Sequence, residues 1–164
     1  PLNKITKTIQ HPNITTVITR SPGELIPELQ NANYANRLNV TLFISIHFYQ
    51  TPDPRPITWL YRYAQTNDFV TPSSQLSLYS YDQAYLFNNG KTASWAQSIQ
   101  RSLADNTTFD TRGPLKLPFK PLVGIVAPAI GFEIGLKEEG DWIKYVEPIA
   151  HALITTLKHH GITT

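Results

Sequence analysis

The sequence contains no cysteine, and this absence removes two chemistries. Without thiols the 164-residue chain can form no disulfide, and thiolate metal sites are excluded. The chain also has little excess of positive over negative charge, since 14 basic and 12 acidic residues leave a formal net charge of +2. The basic residues form no block. Such a balance does not favour nucleic-acid binding. No apolar run approaches the roughly 18 residues that a membrane-spanning helix needs.

One domain is the expected organisation of the chain. Its 164 residues are enough to bury roughly two thirds of the surface that the unfolded chain exposes. Leu2, Ile5 and Ile9 recur at helical spacing and predict a helix at the first residues. Because no initiating Met and no apolar signal segment precede this helix, we expect residues 1–164 to be a single domain that is incomplete at its N-terminus.

A strand–helix–strand unit is predicted in the first third of the chain. The β-branched stretch "TTVITR" (15–20) predicts a strand, and "LIPELQNANYANRL" (25–38) predicts an amphipathic helix. The stretch "VTLFISIHF" (40–48) is almost continuously apolar, as a strand is when both of its faces are covered. Strands joined in this way are parallel, so their carboxyl ends meet at one edge of the sheet, where open α/β folds bind ligands.

The rest of the chain alternates strand-like and helical patterns. Strands are predicted near 57–64 and 128–134, and helices near 92–104 and 142–160, whereas 105–121 has the pattern of a long irregular connection. The predicted fold class is therefore α/β, a three-layer domain with a mixed, mostly parallel sheet flanked by helices on both faces.

Two ionisable residues interrupt the apolar strands. His47 ends the run "FISIH". The ordinary explanation for such a residue is that its imidazole forms a hydrogen bond with a backbone carbonyl. Its predicted place at the carboxyl end of a buried parallel strand favours a ligand-binding role. Glu133 lies between Gly131 and Gly135 in an apolar run, although glutamate is rarely buried without a partner. Glu133 is therefore either one half of an ion pair or a general base. The cations considered for such a pair are Arg112, Lys116 and Lys120.

Together, His47 and Glu133 suggest a hydrolytic zinc site. In a chain without cysteine, an imidazole would hold the metal and a carboxylate would activate its water. We therefore expect the two side chains to line one cleft at one sheet edge, with about 4 to 8 Å between ring and carboxylate.

Several short motifs follow one another along most of the chain. They are "TR" (19–20), "AN" (35–36), "FISIH" (43–47) and "PAIGFEIG" (128–135). Their order and spacing, with the helix near 93–103 and the closing helix, resemble the zinc-dependent N-acetylmuramoyl-L-alanine amidases, which cut peptidoglycan.

This resemblance implies an activity and roles for two residues. His47 resembles a zinc ligand and Glu133 resembles the catalytic glutamate. The expected reaction is hydrolysis of the amide bond between N-acetylmuramic acid and L-alanine by a zinc-activated water. The expected cofactor is zinc and the expected partner is peptidoglycan. The expected location is the periplasm or the exterior of a bacterial cell.

The chain also departs from the pattern of that family. Asn31 stands where the family usually has an arginine, and "FYQ" (48–50) replaces an asparagine after the histidine. Two further zinc ligands, a His in a Gly-His-Gly-Gly turn and a Glu before the first helix, have no match and would fall upstream of Pro1. Because catalytic zinc needs three protein ligands, we expect residues 1–164 alone to hold no tightly bound zinc and to hydrolyse peptidoglycan poorly. His11 is the nearest substitute, but its expected place at the opposite end of a strand makes it a poor one.

Two residues are predicted to bind substrate. Several aromatic residues could stack on a sugar ring, although packing within the sheet explains most of them. Tyr49 is the favoured one because it lies close to His47 in the sequence. The aromatic residues concerned are Tyr49, Trp59, Tyr61, Tyr63, Tyr79, Tyr81 and Tyr85. Arg112 is the second predicted substrate-binding residue. The alternatives to an amidase are a non-catalytic relative that binds cell wall or a partner protein, and another zinc hydrolase such as a carboxypeptidase.

Overall fold

The computed structural model describes residues 2–9, 11–19, 24, 27–52, 57–65, 80–105 and 110–162. Within these ranges the helices and strands, in chain order, are α1 (Leu2–Thr8), α2 (Glu28–Arg37), β1 (Phe43–Gln50), β2 (Ile57–Tyr63), α3 (Asn89–Ala104), β3 (Asp110–Leu117), β4 (Ala129–Leu136) and α4 (Ile143–His159). Short 3-10 helices lie at Tyr81–Asn88, Lys120–Leu122 and Glu139–Trp142.

The strands form one mixed sheet in the order β1-β4-β2-β3. β1 pairs with β4 and β2 pairs with β3 in parallel, while β2 and β4 are antiparallel. One face of the sheet packs against α1, α3 and α4, and the other packs against α2 and the turn at 120–122. The α/β class and the mixed, mostly parallel sheet with helices on both faces are confirmed.

β4 is the central strand of the core because it is apolar on the face that α3 and α4 cover. Ile130, Phe132 and Ile134 are fully buried there. Burying a side chain of this size contributes roughly 2 kcal/mol relative to leaving it exposed. The alternate residues of β4 point to the opposite face, and Glu133 is the charged one among them.

Most predicted elements form close to their predicted bounds. The strands predicted at 57–64 and 128–134 are β2 and β4, and the helices predicted at 92–104 and 142–160 are α3 and α4. The helix predicted at the first residues is α1.

The strand predicted at 15–20 is wrong in its described part. Residues 15–19 form no strand, and Arg20 lies outside the described residues. Residues 15–19 line a groove of about 610 Å³ whose opposite wall includes Phe43 and Ile44 of β1. β-Branched residues favour an extended backbone, but a strand also needs a partner for its N–H and C=O groups. Within the described part of the chain, the predicted strand–helix–strand unit is therefore not formed and β1 lies at the edge of the sheet.

The stretch 105–121, which the sequence predicted to be irregular, contains the strand β3. The strand is difficult to predict from the sequence because it contains Gly113 and Pro114, and both residue types usually indicate turns. β3 accommodates a proline since it lies at the edge of the sheet, and its register with β2 shifts between Trp59 and Tyr61. Gly113 has a φ of 102°, a conformation that favours glycine. The register shift leaves Arg112 paired with Trp59, next to the central strands.

The start of β4 is tied to α2 by one side chain. The amide nitrogen of Asn36 donates to the Gly124 carbonyl at 2.8 Å, and its amide oxygen accepts from the Val126 N–H at 2.9 Å. Because one side-chain amide satisfies a backbone acceptor and a backbone donor in the same loop, it fixes where the chain enters β4.

Candidate active site

His47 and Glu133 are neighbours in the sheet although they lie far apart in the chain. They occupy the same register position of the parallel pair formed by β1 and β4, so both side chains emerge on one face. The His47 Nδ1 lies 3.8 Å from Glu133 Oε1, just below the predicted range. The histidine side chain is 63% exposed and the glutamate side chain 32% exposed, so the pair is open to solvent on one side.

The pair lies on the face of the sheet and not at the strand ends, where the sequence placed His47. β1 continues through Phe48, Tyr49 and Gln50 beyond the histidine. The apolar run in the sequence ends before the strand does, because the last residues of β1 alternate between the covered face of the sheet and its open face. The prediction of a site at the sheet edge is corrected accordingly: the site lies at mid-strand.

A row of four side chains crosses the sheet at this position. The register pairs His47 of β1 with Glu133 of β4, Glu133 with Trp59 of β2, and Trp59 with Arg112 of β3. Neighbouring strands lie about 4.8 Å apart, so the row spans roughly 14 Å from imidazole strand to guanidinium strand. Two predicted substrate-site candidates, Arg112 and Tyr49, therefore lie on either side of the carboxylate.

Arg112 does not form the ion pair with Glu133 that was one alternative for the glutamate. Its Nε donates to Asp110 Oδ2 at 3.0 Å, and its guanidinium lies 5.3 Å from the centre of the Trp59 ring. Lys116 and Lys120 are exposed. Within the described part of the chain, the imidazole of His47 lies 3.8 Å from this carboxylate, and no Lys or Arg forms a salt bridge with it.

The glycines on each side of Glu133 make room for neighbouring side chains. A Cβ on Gly131 would lie 2.5 Å from a ring carbon of Phe119, and one on Gly135 would lie 2.9 Å from the Thr51 methyl carbon and 3.4 Å from the Tyr49 hydroxyl. Phe119 therefore occupies the space beside Gly131, and Thr51 and Tyr49 occupy the space beside Gly135.

Tyr49 borders the site on β1. Its ring is half-buried and stacks on His47, with 6.4 Å between ring centres and an interplanar angle of 26°. A hollow of about 410 Å³ opens beside it, lined also by Gln50, Leu136 and Trp142. Phe48, Leu136 and Trp142 of this hollow belong to the apolar cluster on the opposite face of the sheet, so the hollow lies at the strand ends and is not part of the face that carries Glu133.

Tyr61 is a further candidate residue on this face, which the sequence analysis named only as one of the aromatic residues considered for sugar stacking. It lies on β2 in register with Gly131, on the same face as Glu133. Burial, and next a hydrogen bond donated to the Glu133 carboxylate, raise the pKa of Tyr61 above its ordinary value. The alternation of "ITWLYRY" was a signal for this face, but packing explains the same pattern, and only the register brings the hydroxyl to the carboxylate.

The described residues do not complete a zinc centre. A catalytic zinc takes three protein ligands and keeps one position open. No group of three or more His, Cys, Asp or Glu side chains that could hold a metal occurs among the described residues. His11 is not a substitute, because its Nδ1 accepts from the Asn13 N–H at 3.3 Å in a turn with Ile14, away from the His47–Glu133 row. The described ligand donors therefore do not by themselves fit the predicted metal.

Comparison with protein families gives one match over nearly the whole chain. The profile of a family described as N-acetylmuramoyl-L-alanine amidase matches residues 2–163. A search among curated proteins found no match.

Solved structures show the same fold. The catalytic domain of CwlV, an N-acetylmuramoyl-L-alanine amidase from Bacillus (Paenibacillus) polymyxa var. colistinus, aligns with a TM-score of 0.63 at 17% identity, covering 97% of this chain and 79% of that one. An amidase of the same description from Nostoc punctiforme gives 0.60 at 19% identity over 96% and 80%. One from Clostridium difficile 630 gives 0.55 at 18% identity over 96% and 80%.

Proposed function

The chain belongs to the N-acetylmuramoyl-L-alanine amidase family, and from this premise we propose that it hydrolyses the amide bond between N-acetylmuramic acid and L-alanine in bacterial peptidoglycan. The observation that carries the proposal is the His47–Glu133 pair. A carboxylate without a Lys or Arg partner, 3.8 Å from an exposed imidazole on an open sheet face, is an arrangement suited to activating water.

Glu133 is the catalytic base of the proposed reaction. It takes a proton from the attacking water as the water oxygen bonds to the lactyl carbonyl carbon. When the C–N bond breaks, Glu133 returns that proton to the nitrogen of the departing L-alanine. Proton and leaving group balance without any other acid.

Zinc is the cofactor that membership of this family suggests, and we propose His47 as its ligand in this chain. A metal of this kind polarises a carbonyl and activates water. The described residues supply His47 and not a full ligand set.

Tyr49 and Arg112 are the proposed substrate-binding residues. The flat ring of Tyr49, which stacks on His47, can also stack on a sugar, and Arg112 can donate to a carboxylate or carbonyl from the far end of the row. Their positions on opposite sides of Glu133 would place a bound strand of peptidoglycan across the sheet face.

The proposed place of action is the bacterial cell envelope, either periplasmic or extracellular. This follows from the substrate, because peptidoglycan lies outside the cytoplasmic membrane. Among the described residues, no helix combines the length and apolar character that crossing a membrane would require.

A non-catalytic role is the second candidate. The observation that favours it is the incomplete ligand set in the described part of the chain. In that case the aromatic face would bind cell wall without cutting it.

One experiment separates the two functions. Purified peptidoglycan is incubated with the zinc-supplemented protein, and both the protein bound to the pellet and the newly released L-alanine amino groups are measured. Bound zinc is measured by atomic absorption on the same sample. We expect release of amino groups that falls at least about 100-fold in Glu133→Gln, since loss of a general base costs this much or more. Glu147→Gln, the same change at an exposed carboxylate on α4, away from the row and from the hollow beside Tyr49, is the matched control. Binding without release by the wild-type protein would refute the enzyme and favour the binding role.

A further inference from the structure

Tyr61 is held in a place where its hydroxyl reaches the proposed base. Its ring stacks on Phe119 with 4.9 Å between centres and an interplanar angle of 15°. Offset stacks at such distances are favourable and restrict ring rotation. Tyr61 pairs with Gly131 and Trp59 pairs with Glu133, so Tyr61 and Glu133 are diagonal neighbours on one face, where long side chains can meet. The raised pKa of Tyr61, caused first by burial and next by a hydrogen bond to Glu133, agrees with that placement.

The stack depends on the glycine that precedes Glu133 by two residues. Gly131 faces Tyr61 across the antiparallel pair, and its missing side chain is the space that the Phe119 ring occupies, since a Cβ there would approach the ring to 2.5 Å. Gly131, Phe119 and Tyr61 thus form a continuous support whose last member is the diagonal neighbour of Glu133 on the same face.

A carboxylate accepts several hydrogen bonds, so one donor leaves acceptor positions free for water. Charge-assisted hydrogen bonds of this kind orient the carboxylate more firmly than neutral ones do. A base fixed in this way does not have to be reoriented when substrate binds, and such preorganisation is what catalysis requires of its supporting residues.

We propose that Tyr61 is a positioning residue, which fixes the Glu133 carboxylate in the orientation that takes a proton from the attacking water. This inference rests on the proposed function. It assigns to Tyr61 a role that acts through Glu133 and not through contact with the substrate.

The kinetic test compares two changes of the same kind on one strand. Tyr61→Phe removes the hydroxyl and keeps the ring that stacks on Phe119. Tyr63→Phe makes the same change two residues away, where the ring packs against Tyr85 at 5.1 Å. We expect Tyr61→Phe to lower kcat about 10-fold with KM changed less than about 2-fold, because a hydrogen bond to a charged group has been lost. Tyr63→Phe should keep the wild-type kcat.

A second variant and a stability measurement distinguish a loss of kcat from a loss of folding. Phe119→Leu keeps the Tyr61 hydroxyl but removes the stack, and kcat should fall in the same direction by a smaller factor. Melting temperatures of the two Tyr→Phe variants should agree within about 2 °C if the hydroxyl of Tyr61 has a catalytic and not a packing role. An unchanged kcat in Tyr61→Phe, or equal losses in Tyr61→Phe and Tyr63→Phe, would overturn the proposal.

A spectroscopic measurement decides the contact without any turnover. In protein labelled at the tyrosine ring carbon that bears the hydroxyl, the Tyr61 signal is assigned by its loss in Tyr61→Phe and followed as the pH is raised. Tyr61 should ionise at lower pH in Glu133→Gln than in the wild type, because after burial the hydrogen bond and charge of Glu133 raise its pKa. Identical titration of Tyr61 in both proteins overturns the contact. If this contact is present but the wild-type protein releases no L-alanine amino groups, the proposed function fails, and with it the catalytic half of the inference.

Discussion

Replacing Asn36 by Ala removes the clamp between α2 and the loop that enters β4. The side chain makes two hydrogen bonds to that loop, to the Gly124 carbonyl at 2.8 Å and from the Val126 N–H at 2.9 Å. At a net value of about 1 kcal/mol for each bond, the variant loses roughly 2 kcal/mol of interaction. Alanine is the better helix former by about 0.5 kcal/mol, so the observed loss is smaller than the interaction itself.

Asn33→Ala provides the matched control for this prediction. Asn33 is exposed on the same helix, and its replacement contributes the gain in helix propensity without the loss of a clamp. The difference between the two variants therefore isolates the hydrogen bonds, and we expect it to be about 2 kcal/mol. For a domain of this size, that corresponds to a difference in melting temperature of roughly 4 to 8 °C.

Urea unfolding followed by circular dichroism measures both variants on one scale. The free energies are compared at equal slope, since a change of slope would report a change in the surface exposed on unfolding. If Asn36→Ala and Asn33→Ala differ by less than about 0.5 kcal/mol, water replaces the clamp without loss and the reasoning is refuted.

Three further changes test other parts of the fold. Tyr145→Phe removes a buried hydroxyl that donates to a β4 carbonyl at 3.0 Å, and urea unfolding should show a loss of about 1 to 2 kcal/mol; no loss would contradict the bond. Gly124→Ala places a Cβ 1.8 Å from a Tyr81 ring carbon at a φ of 77°, so the melting temperature should fall by more than about 5 °C, and a smaller fall would show that the ring moves aside. A hydrogen bond from Lys144 holds the pKa of Asp141 below its ordinary value, so the stabilisation it gives is complete above about pH 4 and disappears as the pH falls through the folded value. Urea midpoints of the wild type and Asp141→Asn should therefore converge on acidification, and a constant difference would refute the assignment.

The parts of the fold that the sequence predicts are those that hydrophobic pattern alone determines. β1 and β4 are nearly continuous apolar runs, and such runs are typical of strands covered on both faces. Residues 15–19 carry the same local preference, yet they form no strand in the described structure because pairing depends on a neighbour that local preference does not supply. β3 was missed for the opposite reason, since the sheet edge tolerates the glycine and proline that indicate a turn.

The candidate site divides in the same way. His47 and Glu133 can be identified from the sequence alone, because each is a polar residue in an apolar strand. The role proposed for Tyr61 depends on strand order and register, which place β2 beside β4 in antiparallel orientation. Nothing in the alternation of aromatic residues distinguishes a hydroxyl directed at a carboxylate from a ring that fills the core.

The alignment of the row from His47 to Arg112 depends on correct pairing of the strands. Each of its four members comes from a different strand, so the row exists only when all three strand pairings are correct. A slip of β1 by a single residue would turn the imidazole into the apolar layer and bring Ile46 or Phe48 out to the face. Misaligned chains would therefore lack the proposed site and would also be less stable, so refolding should restore stability and any proposed activity together.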